Sequence, residues 1–152
     1  MSNVAPAVPV TTVPTQDDRL LAAAAHLSMF AGLPVVGPAA IYVIKRKESH
    51  FAAFHALQAA IAHVLFGAIA TVGFFVFVIA SAIIGIAAAS RHELAALIGV
   101  VPLFAFLAMG AALIGVHLYA AYVAWGGEVW SIPIAGRIAR AIQSSDEGAA
   151  KG

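Results

Sequence analysis

The sequence predicts an all-α integral membrane protein: a helical bundle of three transmembrane helices, with four as the alternative, plus a short C-terminal interfacial helix. Composition is the first observation: 62% of the 152 residues are hydrophobic and 10% are charged, at a mean hydropathy of +0.98. Soluble domains carry about a quarter charged residues, so a soluble core is excluded. Second, the charges gather in short clusters that leave long runs without Asp, Glu, Lys or Arg. Third, those runs are punctuated by Pro, Gly and capping residues where helices would begin and end. The net charge of +1 is spread along loops and forms no basic face, so no nucleic-acid partner is expected. The absence of cysteine excludes disulfides, thiolate metal sites, cysteine nucleophiles and S-acylation.

Residues 1–16 hold Pro6, Pro9 and Pro14 among Val, Ala and Thr. Three prolines forbid a helix there, and with no basic or continuous apolar region the segment reads as a disordered tail and not a signal peptide. The membrane domain is expected over 17–143. Thr15 caps its first helix, with Asp17 and Asp18 in the first turn where the helix dipole favours them. A first span is predicted over 20–44, interrupted by the helix break Gly32, Pro34, Gly37 and Pro38. Carbonyls freed by the prolines must then be satisfied by protein, so this face should pack against another helix.

Lys45, Arg46 and Lys47 form the densest positive cluster and precede an uninterrupted apolar run, residues 49–90. A second span is predicted over 51–89. As one helix the run extends roughly 60 Å, about twice the hydrocarbon core, so it must tilt, kink or turn back. Ser90 and Glu93 make a capping box that starts a third span over 94–126. His92-Glu93 also opens like a zinc-protease HExxH, but Ala96 stands short of the second ligand and the cap accounts for the pair better. Tyr119, Tyr122, Trp125 and Trp130 gather at the end of this span, as amphipathic rings do at the headgroup level, and Gly126-Gly127 stops the helix. Ile134, Ile138 and Ile142 recur every four residues with Arg137 and Arg140 on another face, which predicts an interfacial helix over 134–143. Residues 144–152 form a polar tail.

Charge bias favours three spans. That topology puts Lys45, Arg46, Lys47, Arg137, Arg140 and Lys151 on the cytoplasmic side against Arg19 and Arg91 outside. It places the N-terminus outside and the C-terminus in the cytoplasm. A hairpin near Thr71-Val72-Gly73 would give four spans, but offers few groups to satisfy a turn inside the membrane.

The polar residues most in need of explanation are His26, His55, Gln58, His63 and His117. Side chains of this kind within a span usually face the bundle interior. At 100° per residue, His55, Gln58 and His63 share one stripe with Ala59 and Ala62. His26 and His63 come to similar depths, with His117 nearer the cytoplasm, an arrangement that could ligate haem or a metal. The simpler expectation is structural: a neutral His donates to a carbonyl freed at Pro34 or Pro38, with no metal and no cofactor. Catalysis has no support, since no carboxylate pair, nucleophile elbow or phosphate loop is present. Ser81/Gly85 and Ala111/Gly115 space small residues for close helix contact.

At Phe54-His55-Ala56-Leu57-Gln58, preceded by the basic loop and by Ala25-His26-Leu27-Ser28, the chain resembles bacterial uncharacterised relatives of the plastid inner-envelope protein-import channel subunit. The similarity includes Gly127-Glu128 with Pro133 following. The resemblance implies a polytopic membrane protein and, for the plastid members, four spans within a protein-conducting complex. Together these readings give a non-enzymatic subunit of the bacterial cytoplasmic membrane. It would act in the bilayer by packing with itself, as a homo-oligomer, or with another membrane protein, a transport- or translocation-related role included. The competing class is a haem- or metal-binding membrane protein. The Phe54–Gln58 stripe is also expected to be open to a docking partner at the cytoplasmic boundary.

Overall fold

A computed structural model describes residues 13–87 and 92–149 of the protein. The described chain is helical: α1 (Gln16–Leu27), a 3-10 turn (Ser28–Ala31), α2 (Val36–Lys45), α3 (His50–Ala87), α4 (His92–Trp125) and α5 (Ala135–Ala149). No strand occurs among the described residues. The N-terminal tail up to residue 12, the Ser90 end of the predicted capping box and the last residues lie outside them.

α1 starts as its sequence dictates. The Thr15 hydroxyl accepts from the Asp18 amide at 3.2 Å, and the Asp18 carboxylate accepts from the Thr15 amide, also at 3.2 Å. This reciprocal box satisfies amides that the first turn leaves without partners.

The predicted first span is not one helix. α1 and α2 are separated by the 3-10 turn and by Gly32, whose φ of +74° is a left-handed conformation that glycine adopts without strain. Leu33 N–H donates to Ser28 O at 3.0 Å, which closes the turn. Gly37 then lets α2 approach it, since a Cβ there would lie 2.9 Å from Ser28 Cβ. Pro38 sits in the first turn of α2, where its missing N–H costs no intrahelical bond. The chain therefore reverses direction. Lys45 Nζ, at the end of α2, comes within 3.9 Å of Asp18 Oδ1, at the start of α1. With 12 and 10 residues, the two helices rise roughly 18 Å and 15 Å, about half of the hydrocarbon core. The end of α2 thus comes back to the end of the molecule at which α1 begins.

α3, with 38 residues, runs unbroken through Thr71 and Gly73, so the hairpin turn of the four-span alternative is not formed. Among the described residues, two helices are long and apolar enough to cross a membrane, His50–Ile84 in α3 and Leu103–Trp125 in α4, where three spans were expected. α3 and α4 form an antiparallel pair with two regimes. Near the start of α3 and the end of α4 they are buried by α1, α2 and α5. From Val64 onward α3 is mostly exposed, as is α4 between Val101 and Val116, and Phe74 and Phe106 meet edge to face across the pair.

α4 stops at Gly126-Gly127. Gly127 has φ +81°, and Glu128 N–H closes the end by donating to Val123 O at 3.1 Å. Residues 128–132 then cross to α5, which extends through Ala149 and takes in most of the segment expected as a polar tail. α5 does not lie on the membrane surface alone: Ala135, Ala139 and Gln143 are buried, and Gln143 Nε2 donates to His50 O at 3.3 Å. Arg137, Ile138 and Ile142 face outward.

The return of α2 sets the shape. The start of α1, the loop after α2, the end of α4 and all of α5 share one end of the molecule, and Tyr42 donates to Asp146 Oδ2 at 2.7 Å. The N- and C-terminal parts of the described chain, expected on opposite sides of the bilayer, are thus together.

Candidate functional site

The packed end is built mainly of alanine. Ala25, Ala52, Ala56, Ala59, Ala120, Ala124 and Ala139 are essentially inaccessible, and their small side chains bring the helices close. The space left between them is filled by polar groups: the largest fully buried side chains are His26, His55, His117, Gln58 and Pro38.

Gln58, on α3, holds the segment after α4. Its Nε2 donates to Trp130 O at 3.1 Å, and its Oε1 accepts from Ile132 N–H at 2.9 Å. An amide side chain can serve a carbonyl and an N–H of an extended segment at once, which a hydroxyl or a carboxylate cannot do equally well. α5 begins against this contact. Gly136 is required there because a Cβ would overlap Ser131 Oγ and Gln58 Oε1. The ring of Trp130 stands edge-on to Tyr119 at 5.0 Å.

Three histidines from three helices form a chain. His55 Nε2 lies 3.2 Å from Glu128 O; His26 Nε2 lies 3.2 Å from His55 Nδ1; His26 Nδ1 lies 3.4 Å from His117 Nδ1. A carbonyl only accepts, so neutral His55 carries its proton on Nε2 and accepts at Nδ1. His26 must then donate from Nε2 and accept at Nδ1, and His117 must donate from Nδ1. His63 donates from Nδ1 to Ala59 O at 2.8 Å, one turn back on its own helix. Two lone pairs remain: His117 Nε2 and His63 Nε2 are both buried without a hydrogen-bond partner. The two rings are neighbours, with centroids 4.1 Å apart and planes inclined by 33°.

Several expectations change here. The break at Pro34 and Pro38 is not satisfied by His26 or His63, because the turn's own backbone and the Ser28 hydroxyl, which donates to Ala25 O, serve that region. Where His26 and His63 were expected as a possible ligand pair for haem, both nitrogens of His26 instead meet His55 and His117. No group of three or more His, Cys, Asp or Glu among the described residues is arranged to hold a metal ion. The stripe of His55 and Gln58 is engaged within the chain and fully buried, so it offers no docking face. Glu128 O, Trp130 O, Ile132 N–H and Gly136 complete the site. They contribute backbone, and no side-chain pattern in the sequence marks them.

The rim is polar. Asp18, Lys45, Glu48 and Ser49 meet beside the entrance to α3. Burial pushes the Asp18 carboxyl up, but hydrogen bonds from Thr15 and Ser49 and the charge of Lys45 outweigh it and hold the carboxyl below its ordinary value. Hydrogen bonding to Glu48 holds the Lys45 ammonium above its own.

A pair of short antiparallel helices, two long helices apolar enough to cross a membrane and a polar centre locked by alanine packing fit a helical membrane protein. More specifically, residues 17–139 match the MamF/MmsF family of magnetosome magnetite crystal formation proteins, and the chain belongs to that family. No curated protein and no solved structure matches it. The family match corrects the resemblance to the plastid import channel. The Phe54–Gln58 motif that carried that resemblance is explained by the contacts of His55 and Gln58 with residues 128–132.

Proposed function

We propose that this chain is a non-enzymatic membrane protein that takes part in magnetite crystal formation at the magnetosome membrane, packing there with a second copy or another membrane protein. The observation that carries the reading is the family match, which covers the packed end and both long helices. Partner packing is supported by apolar exposure. α3 alone is roughly 57 Å long, far more than the roughly 30 Å of hydrocarbon, and tilt absorbs only part of the difference. Ala111 and Gly115 are exposed on α4, with open space beside Gly115 for a close helix contact. Orientation follows from charge: Arg19, Lys45, Arg46, Lys47, Arg137 and Arg140 belong to the packed end, which favours the cytoplasmic side for it.

The test is complementation in a magnetite-forming cell whose own family member has been deleted. Expression of this chain should restore crystal size and number by electron microscopy, and a Gln58→Leu variant should restore less. Unaltered crystals in the deletion strain would overturn the reading.

A further inference from the structure

We propose that the cavity between the start of α3 and α5 binds the headgroup of phosphatidylethanolamine, with the phosphate on Arg140 and the ammonium toward Gln143, Asp18 and Glu48. The cavity has a volume of about 530 Å³, and its walls include Asp18, Glu48, Phe51, Phe54, Arg140 and Gln143. Sites for small molecules usually enclose about 300–1,000 Å³. None of the buried histidines lines it, so it is separate from the polar centre described above.

The cation of the site is positioned by the protein itself. Arg140 Nη2 donates to Ser131 Oγ at 2.9 Å, and the guanidinium carbon stands 5.6 Å from the centre of the Phe54 ring. Among the described residues no carboxylate bonds to Arg140, which keeps its remaining N–H groups for a planar anion such as phosphate. Negative charge comes from α1 and the loop after α2. There Lys45 meets both Asp18, at 3.9 Å, and Glu48, at 3.0 Å. One cation shared by two carboxylates leaves that wall net negative. Gln143 lies one turn beyond Arg140 on α5, on the same side of the helix. It is only 7% exposed, and its Nε2 is spent on His50 O at 3.3 Å. Its Oε1 has no partner among the described residues and remains an acceptor at the cavity wall. Such an acceptor takes an N–H and repels a phosphate oxygen, so the two poles of the site call for a ligand with both charges, a short link apart.

The place of the cavity points to a lipid as the source of that ligand. Gly127 and Val129, which also line it, fall between Trp125 and Trp130, and rings of this kind settle at the headgroup level. Asp18, Glu48 and Arg140 are charges that hydrocarbon does not accept, whereas Phe51 opens the apolar run of α3 and Val129 is 62% exposed. The walls therefore change from charged to apolar at the boundary where a phospholipid carries its phosphate and amine. A choline headgroup has the positive charge but no N–H for Gln143 Oε1 or the carboxylates. A glycerol headgroup has hydroxyls but no positive charge for the negative wall. The inference does not rest on the proposed function.

The experiment is native mass spectrometry of the purified full chain in detergent, given equimolar phosphatidylethanolamine, phosphatidylcholine and phosphatidylglycerol with identical acyl chains. The wild type should retain phosphatidylethanolamine several-fold over either of the others. Equal retention of the three, or a preference for phosphatidylglycerol, overturns the proposal. This comparison needs no variant, so it holds whether or not a substituted chain folds. Arg140→Gln removes the cation from an exposed position and should lower retention of phosphatidylethanolamine several-fold at unchanged helicity by circular dichroism. Gln143→Met removes the acceptor and should bring phosphatidylethanolamine down to the level of phosphatidylcholine. Arg140→Gln retaining the lipid like the wild type overturns the assignment of the phosphate. O-phosphoethanolamine, the headgroup without its chains, should fail to displace the lipid at equal concentration; displacement would make this a site for a soluble amine phosphate and overturn the lipid source.

Discussion

Replacing Gln58 with Leu isolates the polar work of one side chain, because leucine nearly preserves its volume and removes both of its hydrogen bonds. Ile132 N–H and Trp130 O would then be left without their partner, the first of them in a buried environment. An unsatisfied buried group costs about 1–3 kcal/mol, so two of them set a loss of about 2–6 kcal/mol. Hydrogen bonds within membranes average nearer 0.6 kcal/mol, because the unfolded chain also finds partners there, which places the expected loss at the lower end, about 2–3 kcal/mol. Unfolding by denaturant in detergent micelles would measure it. Trp130 fluorescence is the reporter, since its ring packs on Tyr119 and belongs to the segment that Gln58 holds. The midpoint should fall with little change in slope, as for a loss of stability without a change in exposed area. A loss below about 0.5 kcal/mol, within the range of an ordinary surface substitution, would refute the reasoning and mean that α5 is held to α3 by its alanine face and the Gln143 bond to His50 O.

Two further outcomes test the pairing of α1 with α2. The Asp18 carboxyl is held below its ordinary value of 3.8, so its contribution to stability is fully present above that value and is lost as pH falls through the lower, folded one; acid unfolding in detergent should be less steep below about pH 4 for Asp18→Asn than for the wild type, and identical profiles would remove Asp18 from the account. Cysteines introduced singly at Gln16, Glu48 and Ser145 should react with an impermeant thiol reagent from the same side of the membrane, whereas labelling of Gln16→Cys and Glu48→Cys from opposite sides would restore a single crossing by this segment.

The sequence by itself determined that the protein is helical and lives in a membrane, because hydrophobicity and the absence of charge act residue by residue and need no knowledge of partners. It also determined where α1 starts and where α4 ends, since the Thr15–Asp18 box and Gly126-Gly127 are local contacts within one turn. It singled out His26, His55, Gln58, His63 and His117 as the residues needing explanation. What they do was decided only by the tertiary structure. The run from Leu20 to Ile44 is uniform in charge and long enough to cross, and a reversal at Gly32 differs from a kink by the closeness of Gly37 to Ser28, a contact that periodicity does not encode. Once α2 returns, His26 is carried to the level of His55 and His117, and both of its nitrogens find other rings where proline-freed carbonyls were expected. The partners of His55 and Gln58 are backbone groups some seventy residues away, between 128 and 132. Backbone donors and acceptors are the same at every position, so no residue type announces them, and only the fold says which of them a buried histidine will meet.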